Sequence, residues 1–248
     1  MPAIQIITGN IFNTQCRAVV NTVNCVGAMG AGIALECRLR YPEMYEQYVR
    51  LCRQGRIEVG RLWLYAGPSR SVLNFPTKKH WRDPSQEQFL HAGLAQFMAT
   101  YESLGLGSVA FPLLGAQNGG LAPQRVQAIM QDYLTQCTVP VEIHHHDPSV
   151  SDPDYLALKN CFLTQPAHEL AHQAQLSLAA VAALQRGLAL ESIRQLGPLT
   201  KAPGLSVALV SAALRVLPVD AGNPASSAGG PAPEIPVPGS TGQQGFGF

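Results

Sequence analysis

Hydrophobic and polar positions alternate between two periods along the first 146 residues. Short runs rich in β-branched residues, "IQII" at 4–7 and "AVVNTV" at 18–23, have the pattern of buried strands. Helical spacing follows at 32–40, "GIALECRLR", and at 42–55, "PEMYEQYVRLCRQG", where Pro42 suits a first turn and Gly55 a C-terminal stop. Two more strands, "LWLY" and "SVLNF", flank the turn "AGPSR". Residues 83–105 then read as a helix, with Ser85 as N-cap and Phe89, Leu90, Leu94, Phe97, Met98 and Tyr101 as its apolar stripe. A strand "SVAFPLL", a helix "APQRVQAIMQDYLTQC" and a last strand "VPVEIHH" complete the alternation. Strands alternating with helices predict a mixed or parallel sheet covered by helices on both faces. In such sheets ligands bind in the loops beyond the carboxyl ends of the strands.

The pattern changes after His146. "DPSVSDPDY" carries two Asp-Pro pairs and reads as a linker over 148–154. Residues 155–218 are rich in Ala, Leu and Gln and read as helices of no nameable fold, and 219–248 is a Pro/Gly/Ser tail expected to be disordered. The predicted organisation is therefore a domain over 1–147, a linker, a helical segment and a tail. No apolar run reaches the roughly 18 residues of a spanning helix, and the chain enters its first strand directly, so neither an anchor nor a leader is expected. The six cysteines show no CxxC or zinc-ribbon spacing, which points to the reducing cytoplasm. Net charge is only +1, but residues 38–82 hold ten basic and three acidic residues. Such a local excess suits a phosphate-bearing partner better than a uniform charge would.

Three loops rich in Gly and Asn follow predicted strands: "TGNIF", "NTVNCVGAMGAGIALE" and "PLLGAQNGGLAP". Gly30, Ala31 and Gly32 open a helix whose first-turn amides lack partners within the helix. The run from Gly115 to Gly120 can fold its N–H groups around an anion. Two such loops on one crevice suit a diphosphate. Neither a P-loop nor the G-x-G-x-x-G dinucleotide fingerprint is present. A fourth stretch, "NFPTKKHWR", sets lysines, a histidine, a tryptophan and an arginine at the end of a buried strand.

Together these motifs resemble the macrodomain family, in its DarG-like branch of DNA ADP-ribosyl glycohydrolases related to the terminal ADP-ribose glycohydrolases. The resemblance runs from about residue 4 to 146. It implies a three-layer α/β/α sandwich that binds ADP-ribose and needs no cofactor or metal. Gly9, Asn10 and Ile11 would lie on the adenine side. Asn21, Thr22, Val23 and Asn24 match the family's Asn-Ala-Ala-Asn element. Ala31, Gly32, Ile33 and Ala34 match its diphosphate loop. Gly115, Ala116, Gln117, Asn118, Gly119 and Gly120 match the second loop, and Thr77 precedes the lysine expected at the anomeric carbon, Lys78. Cleavage of an N-glycosidic bond exposes that carbon, and an amine held beside it can form a Schiff base. Lys79, His80, Trp81 and Arg82 are candidate contacts to DNA, through backbone charge and base stacking, although Trp81 could equally pack beneath the loop. The implied substrate is ADP-ribosylated thymidine in single-stranded DNA, and the implied partner is a cognate DNA ADP-ribosyltransferase toxin.

Two positions depart from the family. Asn10 stands where an aspartate is common, and the second loop lacks the aspartate of the terminal glycohydrolases. The latter favours a thymine leaving group, whose N3 departs as a stabilised imide anion. Two other readings stay open: an ADP-ribose-binding module without turnover, and a zinc hydrolase built on His168, Glu169 and His172 of "HELAH", with Glu191 as third ligand. The histidines at 144–146 read as surface residues, with adventitious metal binding as the next reading.

Overall fold

In the computed structural model, which describes residues 4–67 and 70–218, one mixed sheet of six strands forms the centre. The strands are β1 (Ile4–Gly9), β2 (Ala18–Asn24), β3 (Trp63–Ala66), β4 (Ser71–Lys78), β5 (Val109–Pro112) and β6 (Val141–His146). Their order across the sheet is β1-β6-β5-β2-β4-β3, and only the β3–β4 pair is antiparallel. Parallel neighbours need long crossovers, which helices supply. These are α1 (Gly32–Arg40) and α2 (Pro42–Arg53) between β2 and β3, α3 (Glu87–Thr100) between β4 and β5, and α4 (Pro123–Leu134) between β5 and β6.

Period-two alternation splits the buried side chains between two cores. From β2, Ala18 and Val20 pack with Leu94 and Phe97 of α3 and Met130 of α4. Val19 and Val23 face the other way, into a core with Cys37 of α1 and with Met44 and Tyr48 of α2. The result is the three-layer α/β/α sandwich expected from the sequence. Two local features differ from expectation. Ser85 does not cap α3; Gln86 holds that position without a side-chain bond. And β4 does not stop at Phe75 but runs through Pro76 to Lys78. Proline removes a ladder donor; Pro76 sits opposite Val23, where the β2–β4 register shifts before pairing Asn24 with Lys78.

Beyond β6 the chain forms α5 (Pro153–Thr164), α6 (Ala167–Ala174), α7 (Leu178–Leu188), α8 (Leu196–Leu199) and α9 (Val207–Ala213). Tyr155, Leu158, Phe162, Leu184 and Leu199 build a third core, into which α1 sends Leu35 and Leu39 from its outward face. The stretch expected as a linker contains Asp152, which is fully buried and caps α5 by accepting from the Tyr155 amide. The tail expected to be disordered lies outside the described residues. No helix among the described residues is long and apolar enough to cross a membrane.

Candidate active site

Because β1, β2, β4 and β5 run parallel, the segments that leave their carboxyl ends gather at one edge of the sheet. Each carries one of the sequence motifs. At the end of β1, Asn10 is buried and its Oδ1 accepts from the Phe12 amide at 2.9 Å, capping a 3-10 turn over Ile11–Asn13. Gly9 and Ile11 are buried with it.

At the end of β2 the asparagines divide the work. Asn21 is fully buried: its Nδ2 donates to Asn74 Oδ1 at 2.9 Å, in register on β4, and its Oδ1 has no hydrogen-bond partner. It is a polar pair inside the sheet, with Val23 also buried and Thr22 half-buried beside it. Asn24 instead organises the turn that follows. Its Oδ1 accepts from the Val26 and Ala28 amides at 3.0 and 3.3 Å, and its Nδ2 donates to the Ala28 carbonyl at 2.6 Å. Tyr48, buried on α2, donates its hydroxyl to the Asn24 carbonyl at 2.6 Å.

That turn leads into α1. The N-cap, Ala31, has no side-chain cap bond, so the first-turn amides keep their capacity for an anion. Ile33 is half-buried and Ala34 buried. Gly32 has φ of +54°, and a Cβ there would lie 2.6 Å from Asn118 Nδ2. The left-handed backbone favours glycine, and the approach to the Asn118 side chain shows that the two glycine-rich loops come near one another. In the second loop Gly115 has φ of +67°, and its carbonyl accepts from the Leu121 amide at 3.1 Å; the Ala116 carbonyl accepts from Gly120 at 3.2 Å. The Gly119 carbonyl accepts from the Ser85 amide at 2.9 Å, and a Cβ on Gly119 would collide with the Gly115 carbonyl oxygen and Ser85 Oγ. Gln117 and Asn118 are exposed at the loop tip, and Ala116 is buried beneath it.

Lys78 is the last residue of β4. Its Nζ donates to the Asn118 carbonyl and to the Trp81 carbonyl, the latter at 3.4 Å. Its own carbonyl accepts from Cys25 Sγ at 3.3 Å, and the Lys79 carbonyl accepts from the Cys25 amide at 3.1 Å. The backbone at Lys78 and Lys79 is thus tied to the turn after β2, while the amine lies between the Trp81 carbonyl and the loop after β5, with Thr77 buried just before it. Lys79 is exposed. The Trp81 indole is 50% exposed, which places it on the surface rather than beneath the loop. His80 stacks on it with ring centroids 5.5 Å apart, and the Arg82 guanidinium lies 4.6 Å from its centroid.

Sequence reasoning missed Asn74, Tyr48 and the role of Ser85, whose buried Oγ has no hydrogen-bond partner. Asn74 left a signal: an asparagine inside each of two apolar strand patterns is a pair awaiting a register. The basic excess over 38–82 does not form one phosphate-facing surface. Arg40 is buried in ion pairs, Arg38 lies over the Tyr45 ring, and Arg70 donates to the Thr14 carbonyl at 2.6 Å. The histidines of β6 are not uniformly on the surface either: His144 is buried against Glu142 at 2.8 Å, His145 meets Gln127 at 2.8 Å, and His146 is exposed. His168 and Glu169 stand on the exposed side of α6, 3.9 Å apart, and no three potential metal ligands cluster among the described residues.

Residues 20–130 match the family model described as "Macro domain". The chain aligns over 98% of the solved "Macrodomain of Mycobacterium tuberculosis DarG", at 37% identity and a TM-score of 0.56, using 58% of its own length. It belongs to the macrodomain family. Within that family it is similar to a DNA ADP-ribosyl glycohydrolase of Thermus aquaticus, 38% identical over 149 residues, which are 58% of this chain and 41% of that protein. It is also similar to "Thermosipho africanus DarTG in complex with ADP-ribose", at 29% identity and a TM-score of 0.55, over 60% of this chain and 43% of that one. The chain therefore spans about two fifths of the length of the Thermus relative it matches.

Proposed function

We propose that this protein is a DNA ADP-ribosyl glycohydrolase that removes ADP-ribose from thymidine in single-stranded DNA. The observation that carries the reading is the position of Lys78: a primary amine at the end of an inner strand, with its Nζ against the second glycine loop. The names and the bound ligand of the similar proteins support the same assignment. In this reading the adenosine lies against the turn at Asn10 and Ile11. The diphosphate lies between the first turn of α1 and the loop over 115–120, where backbone N–H groups suit its charge without a bound cation. The distal ribose then reaches Lys78.

The chemistry follows from that placement. As the bond from the anomeric carbon to thymine N3 breaks, N3 keeps the electron pair as an imide anion flanked by two carbonyls, and then takes a proton. A carboxylic acid in the second loop is not needed for such a leaving group, which fits the absence of Asp and Glu from residues 115–120. The Lys78 amine forms a bond to the anomeric carbon, one of its protons passes to the ring oxygen as the bond from that oxygen to the anomeric carbon breaks, and loss of the other proton from nitrogen leaves a Schiff base. Water then adds to the imine carbon, returning the amine and releasing ADP-ribose. Lys79, Arg82 and the exposed Trp81 would follow the DNA strand beside the modified base.

An enzyme that removes ADP-ribose from DNA presupposes one that attaches it, so the functional partner is a DNA ADP-ribosyltransferase, for which this protein acts as antitoxin. Its place is the cytoplasm, where such DNA lies. A reader of ADP-ribose without turnover would use the same crevice but not the amine. The test is single-turnover hydrolysis of an ADP-ribosylated thymidine oligonucleotide, with ADP-ribose titration alongside. Lys78→Ala is expected to lower the rate at least about 100-fold while leaving affinity within about threefold, because the amine acts on the bond-breaking step. Lys79→Ala is expected to cost far less. An inactive wild type that still binds ADP-ribose would establish the reader instead, and normal turnover by Lys78→Ala would remove the lysine from the mechanism.

A further inference from the structure

The match to the family model ends at residue 130, and helices α5–α9 have no part in the function proposed above. Their junction with the sandwich is unusual in composition. Arg40, the last residue of α1, has a side chain only 6% exposed and engages three carboxylates. Its Nη1 meets Glu36 Oε2 at 2.6 Å, its Nη2 meets Asp152 Oδ1 at 2.7 Å, and its Nε meets Asp154 Oδ2 at 2.6 Å. Burial works against the charge of Arg40, but Asp152, Glu36 and Asp154 outweigh it and hold the guanidinium protonated. Two of these carboxylates belong to the start of α5, and Asp152 is at once the cap of that helix. Glu36 makes a second link: its Oε1 accepts from the Gly197 amide of α8 at 2.6 Å, and a Cβ on Gly197 would approach that oxygen to 2.6 Å. From α9, Ser211 Oγ donates to the Leu39 carbonyl at 3.1 Å.

The other face of the Arg40 guanidinium leads to the site. It lies 3.9 Å from the centroid of Phe12, in the 3-10 turn after β1. The Phe12 amide is the one capped by Asn10, and Asn13 of the same turn donates to the Ser151 carbonyl at 3.3 Å. Buried charge pairs are strongly directional, since a displaced partner leaves a charge without solvent or counter-charge. A movement of α5 therefore cannot leave Arg40 and the ring beneath it where they were.

We infer that the C-terminal helices are a positioning element of the ADP-ribose site, coupled by Arg40 both to the turn at Asn10 and to the helix that opens at Gly32. The ligand in this inference rests on the function proposed above; the coupling does not. Arg40 is a positioning residue, since it acts through Phe12 and α1 rather than on ADP-ribose.

The experiment uses the full chain and the variant Asp154→Asn, chosen because Asp154 is 39% exposed and its loss leaves Asp152 and Glu36 in place to support folding. Hydrogen exchange is measured without ligand, then ADP-ribose affinity, then single-turnover hydrolysis at saturating substrate. The expected result is faster exchange at amides 10–14 and 33–36, and affinity lower by about five- to tenfold, within the range of ordinary coupling between sites. Turnover at saturation should stay within about twofold, and Asp154→Glu should restore both exchange and affinity. Ile129→Val, in the opposite core, serves as a control that lowers stability without touching the network. If exchange at 10–14 is unchanged in Asp154→Asn, or if Ile129→Val alters affinity as much, the inference is overturned. If the wild type fails to bind ADP-ribose, the proposed function falls, and the exchange result alone still decides the coupling.

Discussion

At the scale of single residues the site is specified by what cannot be added as much as by what is there. Gly119 is buried where a methyl group would meet a backbone carbonyl and the Ser85 hydroxyl. The carbonyl cannot swing aside, because the same loop uses it as the acceptor for Leu121. Gly119→Ala is therefore expected to displace the loop and lower ADP-ribose affinity at least about tenfold, with the sandwich itself still folded. Calorimetry and a thermal melt together check this, and an unchanged affinity would remove the loop from the binding site. The buried Asn21–Asn74 pair teaches a different lesson. Asn21 matches a family motif, and here its side chain is buried and donates to Asn74 on the neighbouring strand. A motif match names a residue type, whereas strand alternation decides which side of the sheet that residue serves.

At the scale of elements most of the sandwich was legible, because strand and helix periods are strong over 4–146. The failures have local physical causes. The strand read as "SVLNF" in fact continues through Pro76, which is tolerated because it falls where the β2–β4 register shifts. Ser85 has the chemistry of an N-cap, yet its amide is engaged by Gly119 two residues before α3 begins. The role of α2 was hidden too: Tyr48 reads as one more apolar position on a stripe, and nothing in a stripe announces a hydroxyl aimed at Asn24. Tyr48→Phe removes that bond while keeping the ring. We expect a loss of about 1 kcal/mol in stability, from a buried hydrogen bond whose acceptor loses its partner. The turn over 25–28, which Asn24 organises, should also exchange its amides faster. Denaturant melts and hydrogen exchange check the two parts separately.

For the whole molecule, the helical segment packs onto α1 through Leu35 and Leu39, while Ala34 and Cys37 face the sandwich. A helix apolar on two faces is covered on both. That signal was present in "GIALECRLR", but an apolar stripe does not name the segment that will cover it. A chain ending at residue 147 would expose both leucines and leave Arg40 with Glu36 alone. Each leucine contributes up to about 2 kcal/mol by burial, so the shortened chain is expected to unfold cooperatively at a clearly lower temperature and to bind ADP-ribose more weakly than the full chain. An identical melting temperature would mean that the helices do not dock in solution.

The amine of Lys78 is carried by a strand, and this bears on how such a protein can change. Loops drift readily as sequences diverge, while the inner strands of a sheet seldom do. In the reaction proposed above, residues 25–31 and 113–120 could therefore be exchanged between relatives, admitting different leaving groups or different flanking bases, with the Lys78 amine still delivered to the same point. For an engineer, β4 is a fixed tool-post: new substrates are best sought by recasting the two loops around it, leaving untouched the run of backbone from Ser71 to the amine.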